Sequence, residues 1–353
     1  MSFDPADDAA THVLGLDVGG ANLKAACTDG RTAAVSFEMW READRLTEAL
    51  GELAAGFEAF HRVAVTMTGE MADCFETRRA GVAAIVDAVE TAFADSPVAF
   101  WGVDATWLSA KDASADPWTV AASNWHAAAH WMSRWIDRPA IWIDIGSTTT
   151  DVLSIGQHMV FTDSRTDLDR LRSGELIYSG VERSNVAGML RDIEVDGDRF
   201  AVVNEQFATA ADAHVLLGYL AAEPDNHHTA DGRGRSLAEC EARLARAVAG
   251  DRDVLTGAQV RRLAEAVFEY QVKIISRSVA LGLDRLRSLG CDLAIVSGHG
   301  DFLAQSALRR GGFDGEVRFI SEALGVEVAR VLPALAAAEL SLGIHRSSDG
   351  RLN

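Results

Sequence analysis

At 353 residues the chain exceeds the size at which one hydrophobic core usually stops growing, so two domains are expected. An apolar fraction of 48% and a mean hydropathy of +0.03 describe a globular protein and exclude a disordered one. A formal charge of −19 and a pI near 4.9 exclude a large nucleic-acid surface or an anionic-membrane dock, since both need a basic face.

An anionic ligand must therefore be met by a few local cations, by backbone amides or by a metal. Lysines are confined to Lys24, Lys111 and Lys273. Residues 1–11 are acidic and poor in apolar side chains, unlike a signal peptide. No run approaches the roughly 20 apolar residues that span a bilayer. Cys27, Cys74, Cys240 and Cys291 are widely spaced, which fits neither a zinc site nor a disulfide framework. A reduced cytoplasm is the expected location, with no nucleic acid or membrane as partner; a homodimer is allowed.

In chain order, residues 14–25 (LGLDVGGANLKA) form a buried-type strand broken by glycine and small residues before a second strand, the pattern of a tight hairpin. Residues 44–60 read as a helix, 63–70 (VAVTMTGE) as a strand ending in a turn, 79–95 as a helix and 97–103 as a strand. The Trp-rich segment 119–135 reads as a helix in which His126 and His130, one turn apart, pack or hydrogen-bond locally. The tryptophans of 101–142 are expected in the core or a domain interface. Residues 141–152 (IWIDIGSTTTDV) repeat the first hairpin, with Asp144 on Asp17 and Gly146 on Gly19. An insertion of mixed character fills 157–235, and its His227-His228 pair is expected in solvent. A long amphipathic helix over about 256–288 buries Val260, Leu263, Val267, Tyr270, Ile274 and Leu281. Residues 293–300 (LAIVSGHG) echo 63–70, a helix near 325–343 closes the fold, and 347–353 are frayed. Two features repeated in the same order indicate a duplicated α/β domain, divided as 1–136 and 137–353.

The repeated hairpin has a definite chemical use. Glycines let backbone amides approach a phosphate, and short hydroxyl side chains donate to its oxygens. The carboxylate at the strand end holds Mg²⁺ or Mn²⁺, or acts as a base. Asp17 with Gly19, Gly20, Asn22 and Lys24 forms one jaw of a diphosphate clamp, and Asp144 with Gly146, Ser147, Thr148 and Thr149 the other. The Gly298-His299-Gly300 turn opens a helix toward the same place and offers a third binding element.

The paired Asp-Gly hairpins and the later glycine turn resemble the actin/sugar kinase/Hsp70 (ASKHA) superfamily. Seven strings carry a closer resemblance: GLDVGGANLKAA, TMTGEMADCF, AASNWHA, IDIGSTTTDV, ELIYSGVERS, TADGR and VSGHGDF, spread from residue 15 to 302. They look like the hydantoinase/oxoprolinase-like branch linked to tetrahydromethanopterin and one-carbon metabolism. The resemblance implies two RNase H-like domains around a cleft and a transferase of methanofuran-type cofactor biosynthesis. The reaction so implied joins an aminomethylfuran-methyl diphosphate to the phenol of a γ-glutamyl-tyramine-like acceptor and releases pyrophosphate. In that reading Asp17, Asp144, Lys24 and Glu70 are catalytic, and Asp17 or Asp144 holds the metal. Glu70 or Asp144 takes the phenol proton, Trp125 and Tyr178 wall the acceptor, and Arg183 or Arg233 meets its carboxylates. An ATP-dependent small-molecule kinase and an ATP-coupled cyclic-amide hydrolase are the alternatives on the same fold.

Overall fold

A computed structural model describes residues 12–57 and 60–343. The expectations for the acidic leader 1–11 and for fraying at 347–353 lie outside the described residues. Two mixed sheets of like topology organise the chain. In the first, β1 (Val13–Val18) pairs antiparallel with β2 (Asn22–Cys27), and β2 with β3 (Thr32–Ser36). On the other side of β1 lie β4 (Arg62–Met67) and β5 (Val98–Trp101), both parallel, and the short antiparallel edge β6 (Trp107–Leu108). The second sheet repeats this plan. There β7 (Ala140–Ile145) and β8 (Thr150–Gly156) form the hairpin, and β9 (Met159–Val160) and β10 (Leu176–Ile177) pair with β8. A separate ribbon of β11 (Asp192–Val195) and β12 (Asp198–Ala201) stands in the insertion. Finally β13 (Leu293–Gly298) runs parallel to β7, and β14 (Glu316–Phe319) parallel to β13. The strand orders β3-β2-β1-β4-β5 and β10-β8-β7-β13-β14 correspond, so the chain is two RNase H-like lobes.

The central strands are covered on both faces, which is why β1 and β7 read as nearly unbroken apolar runs. The lobes are joined by an apolar cluster that includes Trp101, Trp125, Trp131 and Trp142 with Leu332 and Leu340. His126 and His130 belong to this region: Trp101 Nε1 donates to His126 Nδ1 at 3.1 Å, and the two imidazoles stack. Among the described residues no helix is long and apolar enough to cross a membrane.

The long helix runs Gly257–Arg285, capped by a Thr256–Gln259 box. Its buried stripe begins as expected with Val260, Leu263 and Val267, then moves to Gln271, Val272, Ile275 and Val279, and Leu281 is 49% exposed. A strict seven-residue spacing falls behind a 3.6-residue turn by about 20° per heptad, so the extrapolated positions drift off the buried face.

The closing helix is Leu332–Ser341, and it lies on β1, β2 and β4 of the first lobe. The approach is close because position 15 has no side chain: a Cβ there would stand 1.9 Å from the Ala334 carbonyl oxygen. Gly15→Ala must push the helix off the sheet. It is expected to cost about 2 kcal/mol, the usual range for overpacking, measured by urea unfolding. An unchanged midpoint would mean that the contact is slack.

Candidate active site

Each hairpin ends in the same way. Gly19 N donates to Asn22 O at 3.1 Å, and Gly146 N to Thr149 O at 2.9 Å, closing equivalent turns. Four further carbonyls of the turns are occupied: Gly20 O and Ala21 O accept from Met39 N and Phe37 N, while Gly146 O and Ser147 O accept from residues 181–183. A turn whose carbonyls are tied back presents its amides, not its oxygens, to an incoming anion.

Asp17 pairs across the ladder with Lys24, whose Nζ lies 3.8 Å from Asp17 Oδ2. Asp17 is 3% exposed, and its Oδ1 has no hydrogen-bond partner. Burial pushes its carboxyl above the ordinary range; Lys24 and a hydrogen bond from Asn124 pull it down, and the charge of Asp144 pushes it up again. That last influence links the two jaws: Asp17 and Asp144 feel each other across the space between the lobes. In the second hairpin Asp144 pairs with Asp151 at the register of Lys24, so only the first jaw carries a cation. Ser297 Oγ donates to Asp144 Oδ1 and itself accepts from Trp142 Nε1 at 2.9 Å.

The string ELIYSGVERS supports the second hairpin. Val181 N donates to Gly146 O, and Glu182 N and Arg183 N both donate to Ser147 O at 3.0 and 2.9 Å. Gly180 is needed here, because a Cβ would meet Gly146 O and Thr148 N at 2.5 Å. Gln271 Nε2 bonds Gly180 O, and His214 Nδ1 bonds Val181 O, so the loop is held from behind. The glycine turn after β13 is equally tight. Gly298 has φ of +87°, its Cβ would strike Ile145 O at 2.2 Å, and His299 N donates to that oxygen.

Between the jaws lies a cavity of about 940 Å³. Asn22, Lys24 and Trp40 of the first lobe line it, opposite Ser147, Arg183 and His299 of the second. Burial drives the His299 imidazole down to about 4, aided by Lys24 and Arg330, so the ring is neutral near pH 7. Arg183 stacks its guanidinium 4.8 Å from the Trp40 ring, which joins the lobes across the opening.

Of the expected site residues, Asn22, Lys24, Ser147, Arg183 and His299 line this cavity, and Asp17, Asp144 and the hairpin glycines stand behind it. Glu70 is 1% exposed at the end of β4, with neither carboxylate oxygen hydrogen-bonded, and burial raises it to about 7. Its field is shared with Arg78, Asp167 and Tyr178, and Arg78 Nη2 bonds Asp167 Oδ2 at 2.7 Å across the lobes. The structure does not bring Trp125, Tyr178 or Arg233 to the lining of the cavity, and Tyr178 is exposed outside it. Trp125 is 1% exposed with the Arg170 guanidinium 4.4 Å from its ring, and Arg233 pairs with Asp231 on the outer loop. The wall expected of Trp125 is thus a buried one. His227 and His228 are exposed, as expected, and also line the cavity mouth, where His228 Nδ1 lies 3.7 Å from Glu38 Oε1. Glu182, Arg235 and Arg330 also line it. The first was visible only as part of a string, and the two arginines carry no local sequence signal.

Two lobes with matched sheets, and two glycine hairpins opposed across one cleft, define a protein of the ASKHA architecture. The sequence signature of the hydantoinase/oxoprolinase family matches residues 61–339, and the chain belongs to that family. It is 31% identical over 331 residues to the (4-{4-[2-(gamma-L-glutamylamino)ethyl]phenoxymethyl}furan-2-yl)methanamine synthase of Methanocaldococcus jannaschii, covering 93% of this chain and 97% of that one. A synthase of the same name from Methanococcus vannielii is 24% identical over 64% of this chain and 99% of its own. Like these synthases, the chain is an enzyme. Among solved structures, a ROK family glucokinase from Streptomyces griseus aligns over 93% of this chain and 98% of its own, with 17% identity and a TM-score of 0.46.

Proposed function

We propose that the protein is a transferase of methanofuran-type cofactor biosynthesis. It condenses an aminomethylfuran-methyl diphosphate with the phenol of a γ-glutamyl-tyramine-like acceptor and releases pyrophosphate. What carries this reading is the opposed pair of carboxylate-bearing glycine hairpins, in a chain this similar to a synthase named for the furan ether.

The step balances without a redox partner. The bond between the furanylmethyl carbon and the diphosphate oxygen breaks, and its electron pair leaves on pyrophosphate. A lone pair of the phenol oxygen forms the ether bond to that carbon, and the phenol proton passes to a carboxylate. The electron-rich furan ring stabilises charge developing on the carbon. The protein's work is therefore to neutralise the leaving group, exclude water and align the phenol. The amides of Gly19–Asn22 and Gly146–Thr149 and the ammonium of Lys24 serve the leaving group. Glu70 or Asp144 accepts the proton, and Arg183 takes a carboxylate of the acceptor.

A hard divalent cation, Mg²⁺ or Mn²⁺, fits Asp17 and Asp144. Asp17 Oδ1 is buried without a partner, and burial, with a smaller push from the charge of Asp144, raises its carboxyl. When bound, the ion would supply positive charge to the diphosphate oxygens. The cytoplasm is the location we assign to this reaction.

Ligand-induced stabilisation separates this activity from a kinase. Pyrophosphate with Mg²⁺ is expected to raise the Tm more than ATP with Mg²⁺ does, and at a hundredfold excess over Kd it stabilises the fold by about 2.7 kcal/mol. A larger shift with ATP, together with ADP release, would make the protein a kinase instead.

A further inference from the structure

Arg330 belongs by sequence to the segment after the second sheet, yet it stands where the two lobes meet. It ends the short helix Val326–Arg330, reached through Gly325 at φ of +91°, and that helix touches both β13 of the second sheet and β3 of the first. The next residue, Val331, is 2% exposed and packs with Ala334 against Ala26 of β2. The guanidinium is therefore carried on a fixed base beside the strand that carries Lys24. Both residues line the cavity, as do His299 and Ser147 from the other lobe. The fields of Lys24 and Arg330 both reach the His299 ring.

Its ion-pair partner holds it weakly. Arg330 Nη1 lies 3.6 Å from Glu327 Oε1, and the two side chains are 49% and 76% exposed. An exposed pair of this kind contributes little, so the guanidinium is free to exchange it for a doubly charged ligand. Lys24, by contrast, sits against the buried Asp17. One ammonium, partly neutralised by its neighbour, is a poor match for an anion of two phosphates.

We propose that Arg330 is the second cation of the diphosphate site, the group that distinguishes a diphosphate from a single phosphate. The assignment rests on the transferase reading above. A planar guanidinium suits the task, because it spans two oxygens with parallel hydrogen bonds.

Calorimetric titration of the full-length protein with inorganic pyrophosphate and with orthophosphate, both with Mg²⁺, tests it. In Arg330→Ala the Kd for pyrophosphate is expected to rise about 10- to 100-fold, the effect of losing a charge-assisted hydrogen bond, while orthophosphate binding changes by less than about threefold. Arg330→Lys recovers part of the loss. Pyrophosphate binding at the parent affinity in Arg330→Ala, or an equal loss for both anions, would overturn the assignment. A parent protein that binds no pyrophosphate brings down the transferase reading and this proposal together. A parent that binds it, with a variant that matches it, brings down the role of Arg330 alone.

Discussion

Asp144→Asn is expected to lower kcat by about 10²–10³-fold in a pyrophosphate-release assay, the range for loss of one charged group at a reacting centre. The fold should tolerate the change. Asp144 Oδ1 accepts from Ser297 Oγ, an amide oxygen accepts equally well, and Ser297 keeps its bond from Trp142 Nε1. What is lost is the negative charge that Asp17 senses across the cleft. Two consequences follow from that one loss: a weaker hold on a divalent cation, and an Asp17 carboxyl closer to its ordinary range. A variant with parental kcat and an unchanged melting temperature would place the chemistry away from the hairpins.

The second large effect is on stability against pH, and two opposing sets of groups decide its sign. Burial lowers His126 and His214 to about 4, well below the ordinary 6.5, so the folded chain binds fewer protons than the unfolded chain between those values. Their contribution is complete above pH 6.5 and is lost as the pH falls toward 4. Glu70 acts the other way. Its carboxyl is raised from 4.5 to about 7, so its contribution is complete below 4.5 and is lost as the pH rises to 7. At about 1.4 kcal/mol per pKa unit each of these groups is worth roughly 3 kcal/mol. His130 and His299, also lowered to about 4, join the histidine side, and the four are expected to outweigh Glu70 together with the burial-raised Asp17 and Asp167. Urea unfolding should therefore show the protein less stable at pH 5 than at pH 7. Glu70→Gln removes the opposing group and should gain up to roughly 3 kcal/mol over the parent at pH 8, and little at pH 4. A parent that gains stability on acidification, or a Glu70→Gln variant that tracks it at every pH, would show that these groups are more hydrated than their burial implies.

The hairpins were legible in the sequence because their physics is local. A buried strand, an Asp, a glycine turn and a returning strand leave one way to fold, and the antiparallel register then sets Lys24 beside Asp17. Duplication made the reading stronger by repeating it at residues 141–152. The turn Asp196-Gly197 is governed by the same kind of local physics: both residues take positive φ and close the ribbon β11–β12. What the sequence hid was assembled from a distance. Arg330 reaches the cavity because a helix returns to the first lobe, and His228 because the loop around it spans to Glu38. Neither follows from neighbours in the chain. Trp125 misled for a related reason: an aromatic residue in a polar string looks like a substrate wall until a buried arginine is found over it.

The return of Leu332–Ser341 to the first lobe also bears on how the protein is made. The faces of β1 and β4 that this helix covers are synthesised long before their cover, since the whole second sheet lies between them in the chain. At about 5–20 residues per second, the interval between the two is tens of seconds. For that time the nascent first lobe carries an open apolar surface around Val13, Ala26 and Ala64, and the segment around that helix is what closes it. The first lobe therefore cannot mature as an independent unit, and it stays open until Leu332–Ser341 has been made and has docked.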